Sequence, residues 1–171
     1  NLLPPQDQEE IQMVARAGNE VVPLLSYESQ YTTEEACNCI RALINIGTQA
    51  SMSALEDYAR IDFEDEKDQF SIGRSISRGL KNFEQNAYIK RILSQLKVIY
   101  LEYVDIENAS LLRELKKVSR LFFQGLKLND FSFLEDLKGL QNLLFLATNI
   151  SDLSPLKDLE QLKSITFLIP H

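Results

Sequence analysis

Residues 140–162 read LQNLLFLATNISDLSPLKDLEQL, and residues 118–140, one step of 22 positions earlier, read VSRLFFQGLKLNDFSFLEDLKGL. A further step of the same length reaches residues 96–118. Under this shift Ala109, Phe131 and Leu153 align, as do Leu112, Leu134 and Leu156, and then Leu115, Leu137 and Leu159, with Ile106, Leu128 and Ile150 in an earlier column. The chain repeats itself. A fixed period in the twenties with recurring leucines predicts stacked turns, each too small to bury its apolar face alone and each buried against its neighbours.

The spacing resembles the leucine-rich repeat LxxLxLxxNxIxxLxxLxxL. The matching residues are Leu96, Ile99, Leu101 and Ile106; Val118, Leu121, Phe123 and Leu128; Leu140, Leu143, Phe145 and Ile150; and Leu162, Ile165 and Phe167. The phrase ISDLSPLKDLEQL is similar to the 22-residue class of internalin-like and related bacterial proteins. The asparagine column departs from that pattern. Val104, Leu126 and Thr148 stand there, so the side-chain ladder that satisfies backbone groups between turns is missing, and Asn149, one place on, is the candidate to bond part of that backbone.

Each LxL predicts a short parallel strand whose alternate residues face outward on a concave sheet. One outward column would be Tyr100, Phe122, Leu144 and Thr166, and the next Glu102, Gln124, Leu146 and Leu168. Apolar residues in contiguous outward columns read as a partner site or as a face covered by other chain. Tyr103 and Arg120 flank the columns and are residue types favoured at dominant contacts. These ten positions are the expected partner-binding residues.

Upstream, the periodicity is helical. A helix from Asp7 stops at Gly18, a short segment with Pro23 in its opening turn covers residues 21–27, and Thr32 with Glu35 forms a capping box for a helix over 33–46 ending at Gly47. Met52, Leu55 and Tyr58 mark a partner helix, and the acidic run IDFEDEKD at 61–68 reads as a solvated loop or helix start. Phe70, Ile76, Leu80 and Phe83 suggest a helix weakened by Gly73 and Gly79, and Tyr88, Ile92 and Leu96 a helix running into the first repeat as its cap. The string ALINIGTQASMSALEDYA resembles paired HEAT-like repeats, although another helical bundle would give the same stripes. The fold class expected is α+β: a helical HEAT-like domain with its capping helix over 1–96, then a short leucine-rich solenoid with a parallel sheet over 97–171.

Composition excludes several functions. Among 171 residues the net charge is −7, with 9 basic and 15 acidic residues in 1–96 against 9 and 10 in 97–171, which argues against nucleic acid or an anionic membrane as partner. The only histidine is His171, so no internal imidazole serves a base or a metal, and no phosphate-binding glycine motif occurs. No enzyme activity, cofactor or metal is expected. Asp130 and Asp152 recur at one repeat position with Asn108 beneath them, and read as caps of backbone amides rather than catalytic carboxylates. Cys37 and Cys39 point to different sides of their helix and read as one buried small residue and one bystander, not a redox pair. No apolar run approaches the roughly 18 residues that span a bilayer, and no signal peptide is visible, so the chain reads as cytoplasmic. Asn1 in place of Met, followed by Leu2-Leu3-Pro4-Pro5, reads as a start inside a longer protein.

Helices followed directly by degenerate leucine-rich repeats, over about Val21 to Pro170, resemble the C-terminal region of bacterial NACHT-type signalling NTPases. That resemblance implies a non-catalytic region that recognises a trigger or holds the nucleotide-binding module inactive, with ATP bound by sequence elsewhere. The alternative is a free-standing scaffold that binds another protein along the same face.

Overall fold

The computed structural model describes residues 3–169; readings that involve Asn1, Leu2, Pro170 and His171 lie outside the described residues. The chain divides into two compact units between Phe83 and Glu84. Together they contain helices and one parallel four-stranded sheet.

The first unit is helical. Helix α1 (Gln8–Arg16) opens where the Asp7 carboxylate accepts the Glu10 amide at 2.9 Å, and it is halted beside Gly18, whose φ of 66° continues no helix. The left-handed turn feeds a 3-10 helix, Gly18–Leu25, that encloses Pro23. This segment begins three residues before the expected 21, and Pro23 falls past its opening turn; 3-10 geometry tolerates it there. Helix α2 (Thr33–Ile46) carries the expected capping box: Glu35 N–H donates to Thr32 Oγ1 at 3.2 Å and Thr32 N–H donates to Glu35 Oε2 at 2.8 Å. Gly47, at φ 68°, ends it.

Helix α2 is surrounded by α1, by α3 (Gln49–Ala59) and by α4 (Glu66–Ser77). That explains a correction to the cysteines. Both Cys37 and Cys39 are buried, because a helix packed on several sides has no bystander face along its middle. Burial lifts both thiols above their ordinary range, Cys39 to about 11, so neither is a ready nucleophile. The buried Asn38 amide donates to Pro5 O at 3.0 Å and its oxygen accepts from Arg41, while the Tyr58 hydroxyl donates to Leu25 O at 2.9 Å. The acidic run resolves into both expected forms. Its first part is a loop, and Asp65 then caps α4 by accepting the Lys67 and Asp68 amides. Near Gly79 the helix tightens into a 3-10 turn, Arg78–Lys81.

The second unit opens with α5 (Gln85–Arg91), whose cap, Glu84, accepts the Asn86 and Ala87 amides. The α-helix stops before the sheet; a separate 3-10 turn, Leu93–Gln95, delivers the chain to β1. The strands are β1 (Val98–Glu102), β2 (Arg120–Gln124), β3 (Asn142–Leu146) and β4 (Ser164–Leu168), parallel and in the order of the sequence. Their register is that of the repeat. Ile99 lies beside Leu121, Leu143 and Ile165, and Leu101 beside Phe123, Phe145 and Phe167.

Each strand but the last returns through a 3-10 segment, Ala109–Glu114, Ser132–Asp136 or Ser154–Leu156. The recurrent leucines of these segments close the core: Leu112, Leu134 and Leu156 are buried, as are Leu115, Leu137 and Leu159. Between them the rings of Phe123 and Phe145 stack at 5.2 Å, with Phe131 edge-on to both.

Candidate functional site

In a strand, successive side chains alternate between faces, so burying Ile99 and Leu101 sends Tyr100 and Glu102 to the opposite, outer face of the sheet. The same alternation holds in β2 and β3. The register therefore lines up Tyr100, Phe122, Leu144 and Thr166 in one outer column, and Glu102, Gln124, Leu146 and Leu168 in the next. All the expected positions of the two columns come together. Six are half-buried, and Thr166 and Leu168 on β4 are exposed. Tyr100 and Phe122 stack face to face, with ring centres 4.3 Å apart and planes within 6°. Arg120 lies in a further row that runs from the buried Val98 to Asn142 and Ser164, where the Asn142 amide donates to the Ser164 hydroxyl at 2.7 Å.

Tyr103 stands at the rim, 64% exposed, and its hydroxyl accepts from Gln124 Nε2 at 2.9 Å. Its backbone is left-handed, φ 48°, as are Gly125 at 62° and Ala147 at 47° one and two turns on. This column was not anticipated, and its only sequence trace is Gly125. It has a plain cause: the turn after each strand aims an amide at the next turn, Tyr103 to Gln124 O at 2.8 Å, Gly125 to Leu146 O at 2.9 Å and Ala147 to Leu168 O at 3.1 Å. Glycine at the middle position leaves room for a neighbouring ring. A β-carbon on Gly125 would come within 2.4 Å of the Tyr103 ring, which lies over it.

The column that lacks asparagine is repaired differently from expectation. Thr148, inside the column, accepts the Leu126 amide at 3.3 Å and donates to Leu146 O at 3.2 Å, whereas Asn149 is exposed. A hydroxyl reaches both groups because it donates and accepts at once. The recurrent acids behave as caps. Asp130 accepts the Ser132 amide and Asp152 the Ser154 amide, each at 2.8 Å, and Asn108 accepts that of Ser110 at 3.0 Å. These backbone bonds, followed by the serine side chains, hold both aspartates below the usual carboxylate range.

An open hollow of about 1310 Å³ lies beside these loops, lined by Leu126, Asp130, Phe145, Thr148 and Phe167 among others. Of its carboxylates, Asp130 and Asp152 are engaged as caps and Glu135 is paired with Arg113 at 3.2 Å. Among the described residues no three His, Cys, Asp or Glu side chains are placed to hold a metal, and no helix is long and apolar enough to cross a membrane.

No family model and no curated protein sequence matches this chain. Among solved structures it is similar to internalin C2 from Listeria monocytogenes, at 15% identity and a TM-score of 0.46, over 92% of this chain and 96% of that one.

Proposed function

We propose that this chain is a non-catalytic protein-recognition region, its second half a short leucine-rich solenoid whose concave, outer sheet face receives the partner. The observation that carries the reading is the line of Tyr100, Phe122 and Leu144 across three turns, with Leu146 and Leu168 beside it. The core of the unit lies on the other face, where Ile99, Leu101, Leu121 and Phe123 are fully buried, whereas this column is only half-buried. Such a column suits an apolar ridge on another protein. Glu102, Gln124 and Thr166 supply polar contacts around it, while Tyr103 and Arg120 stand at its margin as anchors. A net charge of −7 favours a protein over nucleic acid or an anionic bilayer.

The finer reading places this region, with a HEAT-like helical half, in a cytoplasmic signalling NTPase of the NACHT type, where the face recognises a trigger or holds the NTPase inactive. A free-standing adaptor is the second reading, since the same face would serve it unchanged.

Affinity capture with the native chain and a Phe122→Glu variant tests the proposal. An unpaired charge buried at an interface costs about 3–5 kcal/mol, enough to release most partners. Loss of a specific protein with the variant, both chains giving the same circular dichroism, supports recognition by this face. An NTPase module among the captured proteins favours the signalling context and an unrelated protein the adaptor. Equal capture by both chains, or none by either, overturns the reading.

A further inference from the structure

The outer columns run between two margins of opposite charge. Where the strands begin, the backbone ties Lys97, Ser119, Gln141 and Lys163 into one row, the amide of each donating to the carbonyl before it at 2.7 to 2.8 Å. Taken at steps of 22, the rows that start at Gln95, Lys97 and Val98 hold Lys97, Lys117, Arg120 and Lys163 and no carboxylate. Where the strands end, the rows that start at Glu102, Asp105 and Glu107 hold those three acids and one lysine, Lys127.

Two of the basic groups keep their charge uncompensated. Lys117 Nζ donates to Gln95 Oε1 at 2.8 Å and Lys163 Nζ to Gln141 Oε1 at 3.1 Å, so the partner of each is a neutral amide, and both lysines are exposed. A ligand that brings carboxylates to this margin gains attraction there without breaking an ion pair at either lysine.

Spacing says what shape would carry them. Tyr100, Phe122 and Leu144 sit on neighbouring strands about 4.8 Å apart, which makes the apolar column about 9.6 Å long. An α-helix laid across the strands sets side chains i, i+3 or i+4, and i+7 in one stripe within about 10.5 Å. An extended segment spreads i, i+2 and i+4 over about 13 Å and outruns the column. The flanks of a helix lie about 5 Å from its axis, and two residues along a strand cover about 6.6 Å. One flank therefore falls over the row of Arg120 and the other over the row of Glu102.

We propose, resting on the recognition reading above, that the outer face takes an amphipathic α-helix of another protein. Its apolar stripe lies on Tyr100, Phe122 and Leu144, and an acidic flank meets Lys97, Lys117, Arg120 and Lys163. The far margin, with Glu102, Asp105 and Glu107, repels a polyanion such as nucleic acid and requires neutral or basic residues on the opposite flank.

The test is a library of helical peptides of about 20 residues, long enough to hold a helix, with leucine or phenylalanine fixed at i, i+4 and i+7 and both flanks randomised. Selection is against the 171-residue chain. Acidic residues are expected to be enriched on one flank of the binders and depleted on the other. For a selected peptide, Lys117→Glu and Lys163→Glu together raise the dissociation constant about tenfold at low salt and less at high salt. Phe122→Glu abolishes its binding, and every variant keeps the native circular dichroism. Binders that depend on Phe122 but carry no acidic flank, or that ignore the lysine reversals, overturn the inference and leave the face a recognition site. Binders indifferent to Phe122→Glu overturn both. Absence of any helical binder overturns the inference alone, since capture of a partner by the native chain does not depend on helical shape.

Discussion

Strands β2 and β4 have nearly the same design, LFF against ITF at their centres, and sit in the same register, yet one is buried and the other is not. Phe123 is fully covered and Phe167 is nearly half exposed, although both occupy the same column. The residue type does not decide this. Phe123 has a stacked turn on either side and a return segment beneath it, whereas Phe167 has the ring of Phe145 on one side, at 5.2 Å and within 9° of parallel. In a repeat, burial belongs to position in the stack, and each turn's stability is largely lent by its neighbours.

The sharpest way to break this comparison is to truncate the two rings separately. Phe123→Ala is expected to cost about 3–5 kcal/mol in urea unfolding, the range for a fully buried aromatic, and Phe167→Ala half of that or less. Equal losses would mean that the last turn is as enclosed as the second. Next in size is Gly125→Ala, which puts a side chain into left-handed backbone and against the Tyr103 ring; about 1–2 kcal/mol is expected for the backbone alone. Combining it with Tyr103→Ala should return the part due to the ring, so a double-mutant cycle separates strain from collision.

Smaller still is the repair of the asparagine column. Thr148→Val keeps the shape and leaves the Leu126 amide without that hydroxyl, for an expected loss of about 0.5–1.5 kcal/mol, while Asn149→Ala is expected to be near neutral. The least effect belongs to the caps. Asp130 and Asp152 titrate lower in the folded chain than in the unfolded one, so the stability they contribute is complete above the ordinary carboxylate pKa of about 3.9. It is lost as pH falls through their lower folded values. Acid titration of Asp130→Asn beside the native chain should show a shallower decline for the variant below about pH 4, and parallel curves would remove the caps from the account.

Sequence legibility followed how local the cause was. The capping box at Thr32, the stop at Gly47 and the 22-residue register depend on side chains within one turn or on repetition, and all three could be placed from spacing. The outer columns were placed for the same reason, because the period fixes register and the pleat fixes face. What spacing could not give was the environment of a residue set by distant chain. Cys39 is buried because three helices surround α2, and nothing in its own helix says so. The left-handed column at Tyr103, Gly125 and Ala147 escaped because two of its three members are residues that do not announce a positive φ. Thr148 was passed over for Asn149 since the family pattern directs attention to asparagine, while the geometry needs any group that both donates and accepts.

Amide hydrogen exchange on dilute protein, resolved by residue across the four strands, tests most directly the claim that position in the stack governs burial. Protection should be uniformly high through β2 and β3, which have a strand on either side, and should alternate in β4, with Thr166 and Leu168 slow and Ile165 and Phe167 fast. Equal protection of all five β4 amides in dilute monomer, or the same alternation in β2, would contradict it.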